Sequence, residues 1–113
     1  MKIITKTLTS AELKQMAAAL FGNMVKAVVD VEKEIIAVDA ELHSDLEALL
    51  LENESKQNNL WGINLYPELS GKDFVEFDSM INMRPSQGNS SRSVNDEKTR
   101  QKIVEIVAKR IVA

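Results

Sequence analysis

Residues 24–40, "MVKAVVDVEKEIIAVDA", decide the fold. Val25, Ala27, Val29 and Val31 alternate with Lys26, Val28 and Asp30, which is the two-residue period of a strand with one face well buried. Glu32-Lys33-Glu34 cannot extend that pattern, and Ile35-Ile36-Ala37-Val38 then resumes a β-branched run. Two such runs joined by a short charged tip read as an antiparallel hairpin. The tip lacks Gly and Asn, so its turn type is open.

On the N-terminal side, Thr9 and Glu12 have the spacing of a capping box, with Leu8 placed to staple against Leu13. Leu13, Met16, Ala17 and Leu20 follow as one apolar stripe, and Gly22 suits the left-handed residue that ends a helix. The expected helix spans 9–21.

On the C-terminal side, residues 42–53 fit either a helix, through Leu42, Leu46, Leu49 and Leu50, or a short buried strand through "ALLLE". Helix is favoured because Ser44 and Glu47 repeat the capping-box spacing and Leu, Ala and Glu are good helix formers. Residues 53–59 are wholly polar and read as a loop. Leu60–Tyr66 and Phe74–Met83 read as a second strand pair, punctuated by Pro67 and Gly71. Asn95-Asp96-Glu97 supplies a cap and an acidic first turn to a closing helix. Its stripe is Ile103, Ile106, Val107 and Ile111, and Lys109 and Arg110 complement the dipole at its end. The order α-ββ-α-ββ-α predicts a single α+β domain, residues 1–113, with helices packed on one face of a four-stranded antiparallel sheet.

Length and composition agree. A chain of 113 residues, 44% hydrophobic and 27% charged, can bury one core. No apolar run approaches bilayer length, so no membrane role is expected. Without a signal-like N-terminus or any cysteine, the expected location is cytoplasmic, and disulfides and thiolate zinc sites are excluded. The net charge of −3 is segregated: residues 1–23 carry +2, residues 24–81 carry −9 and residues 82–113 carry +4. Either the acidic middle and basic end neutralise each other in the fold or in a dimer, or the basic end meets an anionic partner.

The strings "FGNMVKAVVDVEKEIIAVDAELHSD" and "LWGINLYPELSGKDFVEFDSMINMRPSQGNSSR", with the closing amphipathic helix, resemble a family of short bacterial proteins classed only as a domain of unknown function. The resemblance covers nearly the whole chain and implies a stand-alone bacterial protein, with no activity or cofactor attached. It also implies a glycine after the acidic residues of "LENES", where this chain has Glu54, so no tight turn is required there.

Three groups of residues are candidates for function. The first is "MRPSQGNSSRS", residues 83–93, where Arg84, Gln87, Asn89 and Arg92 surround a flexible Gly88 just before a helix N-terminus. Free N–H groups and bidentate guanidiniums suit phosphate or carboxylate. The competing reading pairs Arg84 and Arg92 with the acidic segment and spends the amides on buried backbone groups. The second is "DAELHSD". Asp39, Glu41, His43 and Asp45 would share one face of a continued strand, as ligands for a divalent metal or as acid–base groups. A helix capped at Ser44 splits that set, and no metal is expected. His43 then remains as a proton-transfer group.

The third group is Trp61, Asn64, Tyr66, Asp78 and Asn82. Trp61 is expected in the core, and Asn64, Asp78 and Asn82 either tie down loops or line the mouth of a pocket closed by the Arg84 loop. P-loop, dinucleotide-binding, nucleophile-elbow and Cys–His patterns are all missing. Few aromatics and a negative net charge argue against nucleic acid. Two function classes remain, and nothing decides whether either is catalytic. One is a module binding a small anionic metabolite through residues 84–92 with His43, Asn64 and Asp78. The other is a non-catalytic interaction protein forming a homo-oligomer or hetero-complex through its segregated charges.

Overall fold

The computed structural model describes residues 1–113. In chain order the elements are β1 (Lys2–Ile4), β2 (Leu8–Thr9), α1 (Ser10–Ala19), β3 (Val25–Asp30), β4 (Ile35–Val38), α2 (His43–Glu52), β5 (Leu60–Leu65), β6 (Val75–Glu76), α3 (Glu97–Arg110) and β7 (Ile111–Val112).

The central hairpin forms as its alternation requires, with Ala27 opposite Val38 and Val29 opposite Ile36. A buried carboxylate ties its tip. Asp30 Oδ1 accepts from the backbone N–H of Glu32 and of Lys33, each at 2.9 Å, while Oδ2 accepts from the Ser55 hydroxyl at 2.6 Å. Glu34 closes the turn in the left-handed region at φ 58. Lys102 and Lys109 hold its carboxylate, and Arg110 Nε donates to its carbonyl. Those two ammonium groups hold the Glu34 carboxyl down to about 2.

The hairpin is the middle of a larger sheet than the strand count predicted. Its order is β1-β4-β3-β5-β6, five strands with every neighbouring pair antiparallel. The extra strand is the N-terminal Lys2–Ile4, too short to announce itself by period. Leu8 and Thr9 of β2 also pair, in parallel, with Ile111 and Val112 of β7.

The helices cover both faces of this sheet, not one as expected. Leu13 and Ala17 of α1 and Ile103, Ile106 and Val107 of α3 pack with Val25, Ala27, Val29, Ile36, Val38, Trp61, Ile63 and Leu65. Leu46 and Leu50 of α2 pack on the opposite side with Val28, Ile35, Ala37 and Leu60. The reason lies in the strands: β3 and β4 bury apolar side chains of both parities, and such strands need cover on both sides.

The α1 capping box forms between Thr9 and Glu12. At α2 the expected box does not. Helical residues begin at His43, Leu42 occupies the cap position, and no side chain caps the first turn. The far end of α2 closes with Ser55 N–H on the Leu50 carbonyl and Glu54 N–H on that of Leu51. This Schellman arrangement puts Glu54 at φ 69. A tight turn is therefore present at the place where the resemblance implies glycine.

The fourth expected strand, 74–83, also ends early. After β6 the chain leaves the ladder, and the Asn82 side chain takes its place on β5. Asn82 Oδ1 accepts from Gly62 N–H at 2.8 Å, and Nδ2 donates to the Gly62 carbonyl at 2.9 Å and to that of Arg92 at 3.0 Å. Gly62 is required beneath it, since an added Cβ would lie 2.5 Å from Ser79 Cβ and 3.1 Å from Ile81 Cγ1.

Four ion pairs, Arg84–Glu47, Arg92–Asp78, Lys102–Glu34 and Lys109–Glu34, join the acidic middle to the basic end. Part of the segregated charge is thus neutralised within the fold. No helix is long and apolar enough to cross a membrane.

Asn82 is fully buried, and its removal strands the Gly62 amide and carbonyl without partners. Asn82→Ala is expected to cost about 3 kcal/mol, because each unsatisfied buried group costs about 1–3 kcal/mol. Gly62→Ala is expected to cost about 2 kcal/mol or more through overpacking. Urea unfolding followed by circular dichroism measures both, and a loss under about 0.5 kcal/mol, the range of ordinary surface substitutions, contradicts the assignment.

Candidate functional site

The residues expected to grip an anion in the 84–92 loop do not all converge: Gln87 and Asn89 line one depression with Asp96 and Thr99, and neither Arg84 nor Arg92 lines it. Arg84 lies against β5. Its Nε donates to the Ile81 carbonyl, its Nη2 to the Leu60 carbonyl, and its guanidinium stacks 4.9 Å from the centre of the Trp61 ring. Glu47 approaches it at 3.5 Å. Burial pulls the Arg84 pKa below its ordinary value, and Glu47 opposes that shift.

Asn89 is the hub of the loop. Its Nδ2 donates to the carbonyls of Asn82, Ser91 and Ser93, and its Oδ1 accepts from Asn95 N–H. Gln87 donates to the Asn58 carbonyl at the surface. These three side chains serve the polar backbone of a segment with no ladder of its own, which meets the need for every buried N–H and C=O to find a partner. The four residues of the "DAELHSD" cluster do not come together either. The strand stops at Val38 and a helix starts at His43, so no group of His, Asp and Glu side chains is placed to hold a metal.

Four of the expected residues do meet, elsewhere. His43, Asn64, Asp78 and Arg92 line one cleft of about 210 Å³ between the first turn of α2, the edge of the sheet and the segment 78–81. Lys26, Leu42, Ser44 and Met80 complete its main walls. Sequence reasoning missed Lys26, although it is the one cation in β3, flanked by Val25 and Ala27. Register explains the meeting: Lys26 of β3 pairs with Asn64 of β5, and Asn64 with Glu76 of β6, which places these side chains in a row across the α2 side of the sheet.

Each member has a definable chemical state. Lys26 makes no ion pair, and its ammonium lies 5.3 Å from the centre of the Phe21 ring. Arg92 donates from Nε to Asp78 Oδ1 at 2.7 Å and is otherwise half exposed. Asn64 is only 6% exposed. Its Nδ2 donates to Glu76 Oε1 and to the Asp78 carbonyl, which leaves Oδ1 on the other side of the amide, buried and without a partner.

His43 lies 2.8 Å from the Ile63 carbonyl through Nε2, a contact that requires the proton on Nε2 and leaves Nδ1 as the acceptor in the neutral ring. Burial lowers its pKa from the ordinary 6.5, the Ile63 carbonyl opposes the shift, and Lys26 adds to it. The cleft therefore offers an ammonium, a guanidinium and the N–H groups of His43 and Ser44 as donors, while the N–H of Asp45 is taken by the Leu42 carbonyl. Neutral His43 and the Asp78 carboxylate are its acceptors.

Residues 2–110 match the family described as "Protein of unknown function (DUF5674)", and the chain belongs to that family. No curated protein and no solved structure matches it.

The His43 shift makes a prediction about stability. Folding lowers its pKa, so below 6.5 the unfolded chain takes up a proton that the native state refuses. Stability is complete above 6.5 and falls as pH drops toward the folded pKa. Thermal melts of the wild type between about pH 7 and 5 are expected to show that slope and His43→Gln a flatter one. Parallel slopes overturn the assignment.

Proposed function

We propose that this protein binds a small polar metabolite bearing a carboxylate or phosphate, in the cleft at the N-terminus of α2. The observation that carries the reading is the first turn of α2, left without a capping side chain beside the unpaired ammonium of Lys26. Helix N-termini carry free N–H groups and a partial positive charge, and a proximal cation reinforces both. Arg92, the one member of the 84–92 loop that reaches the cleft, adds guanidinium N–H groups at its rim. A volume of about 210 Å³ is below the usual range of about 300–1,000 Å³ for ligand pockets, so the ligand has few heavy atoms.

Titration of ¹⁵N-labelled protein with inorganic phosphate and with acetate tests this reading. The amides of His43, Ser44 and Asp45 are expected to shift. Lys26→Ala is expected to weaken binding about tenfold, the loss of one charge-assisted contact. No shifts at millimolar anion, or shifts confined to residues 84–89, reject the site.

A second reading, association between copies, draws on a different surface. Leu69, Phe74, Val104 and Val112 line an apolar groove of about 470 Å³ between the 67–74 turn and α3, and Leu69 and Val104 are half exposed. Four ion pairs already join acid to base inside one chain, so this apolar groove, more than charge, supports a self-contact. Sedimentation velocity is expected to show a dimer that Val104→Glu dissociates. A monomer at every concentration removes this reading.

A further inference from the structure

We infer that the ligand of the α2 cleft is an α-amino acid with an aliphatic side chain; the inference rests on the binding reading above and narrows it to a chemical class. Three features of the cleft sort by chemistry. The anion-seeking groups are Lys26, Arg92 and the open N–H groups of α2. The hydrogen-bond acceptors are Asp78 and the neutral ring of His43. An anion alone satisfies only the first set. A carboxylate with an ammonium on the adjacent carbon satisfies both. The charges lining the cleft, Lys26 and Arg92 against Asp78, leave one net positive charge, which calls for a carboxylate on the ligand.

The third feature is apolar. Leu42 is 54% exposed and Met80 63% exposed, and both line the cleft. Leu42 holds a cap position where Ser, Thr, Asp or Asn would close the helix. A ligand whose side chain lies against Leu42 and Met80 gives that residue a role there, with the flexible Met thioether adapting to its shape.

Calorimetric titration of the full chain with acetate, glycine, L-leucine and L-leucinamide separates this inference from the reading beneath it. L-leucine is expected to bind about tenfold more tightly than glycine, the gain from partly covering a side chain of that size, and leucinamide to bind at least tenfold more weakly than leucine. Leu42→Ser is expected to raise Tm by about 3 °C through restored capping while reducing leucine affinity about fivefold toward that of glycine. Such opposed changes do not follow from a purely structural role. Equal affinity for glycine and leucine, or binding of acetate without either amino acid, overturns the inference and leaves the anion site standing. Silence from all four probes overturns both.

Discussion

The arrangement of the whole C-terminal half depends on one side-chain amide. Asn82 bonds both backbone groups of Gly62 and so occupies the place of a strand residue on β5, without a strand being there. A backbone strand would have continued the ladder and carried residues 78–83 straight along the sheet edge. The substitute lets the chain turn away after β6 and cross toward α2, and it draws in the Arg92 carbonyl through the same Nδ2. Asp78 and Arg92, fourteen residues apart, become neighbours as a result. Gly62 is the other half of the device: with no Cβ, it admits Ser79 and Ile81 against its backbone.

The polar segment 83–93 is explained by the same need. A chain that leaves a sheet and stays packed must satisfy its own backbone, and Asn89 does so with four bonds while Arg84 covers the Leu60 carbonyl. Arg84 is a cation of the core, lying between an indole ring and a carboxylate, and it has little freedom to meet a ligand. On the α2 side, strand register and an open helix end instead bring residues from five separate segments to one cleft.

Part of that cleft was legible in advance. His43, Asn64, Asp78 and Arg92 stand out as polar residues in unusual company, and the sequence reading joins them in one ligand module, but together with Arg84, Gln87 and Asn89, which the fold places elsewhere. Nothing in spacing along the chain unites residues 43, 64, 78 and 92. Lys26 carries a readable signal, a cation flanked by Val25 and Ala27 in an otherwise apolar stretch of β3, but its neighbours define a strand and nothing local marks a site. Ser44 misled, since its spacing to Glu47 mimics a capping box. The helix begins two residues earlier than a Ser44 cap implies, and with Leu42 at the cap position no box can form.

The sequence by itself determined what depends on local period and local capping: the β3–β4 hairpin, the three helices, the α1 capping box and the α+β class. These follow from residues within a few positions of one another, where alternation or a helical stripe selects the backbone conformation. Only the tertiary structure decided which face each helix covers, that Lys2–Ile4 joins the sheet, and which polar side chains serve the backbone rather than a ligand. Many of those outcomes are settled by partners twenty or more residues away, as with Asn82 on Gly62, Ser55 on Asp30 and Lys102 on Glu34. Such pairings leave no period in the chain, because the energy that selects them exists only once the two segments have been packed together.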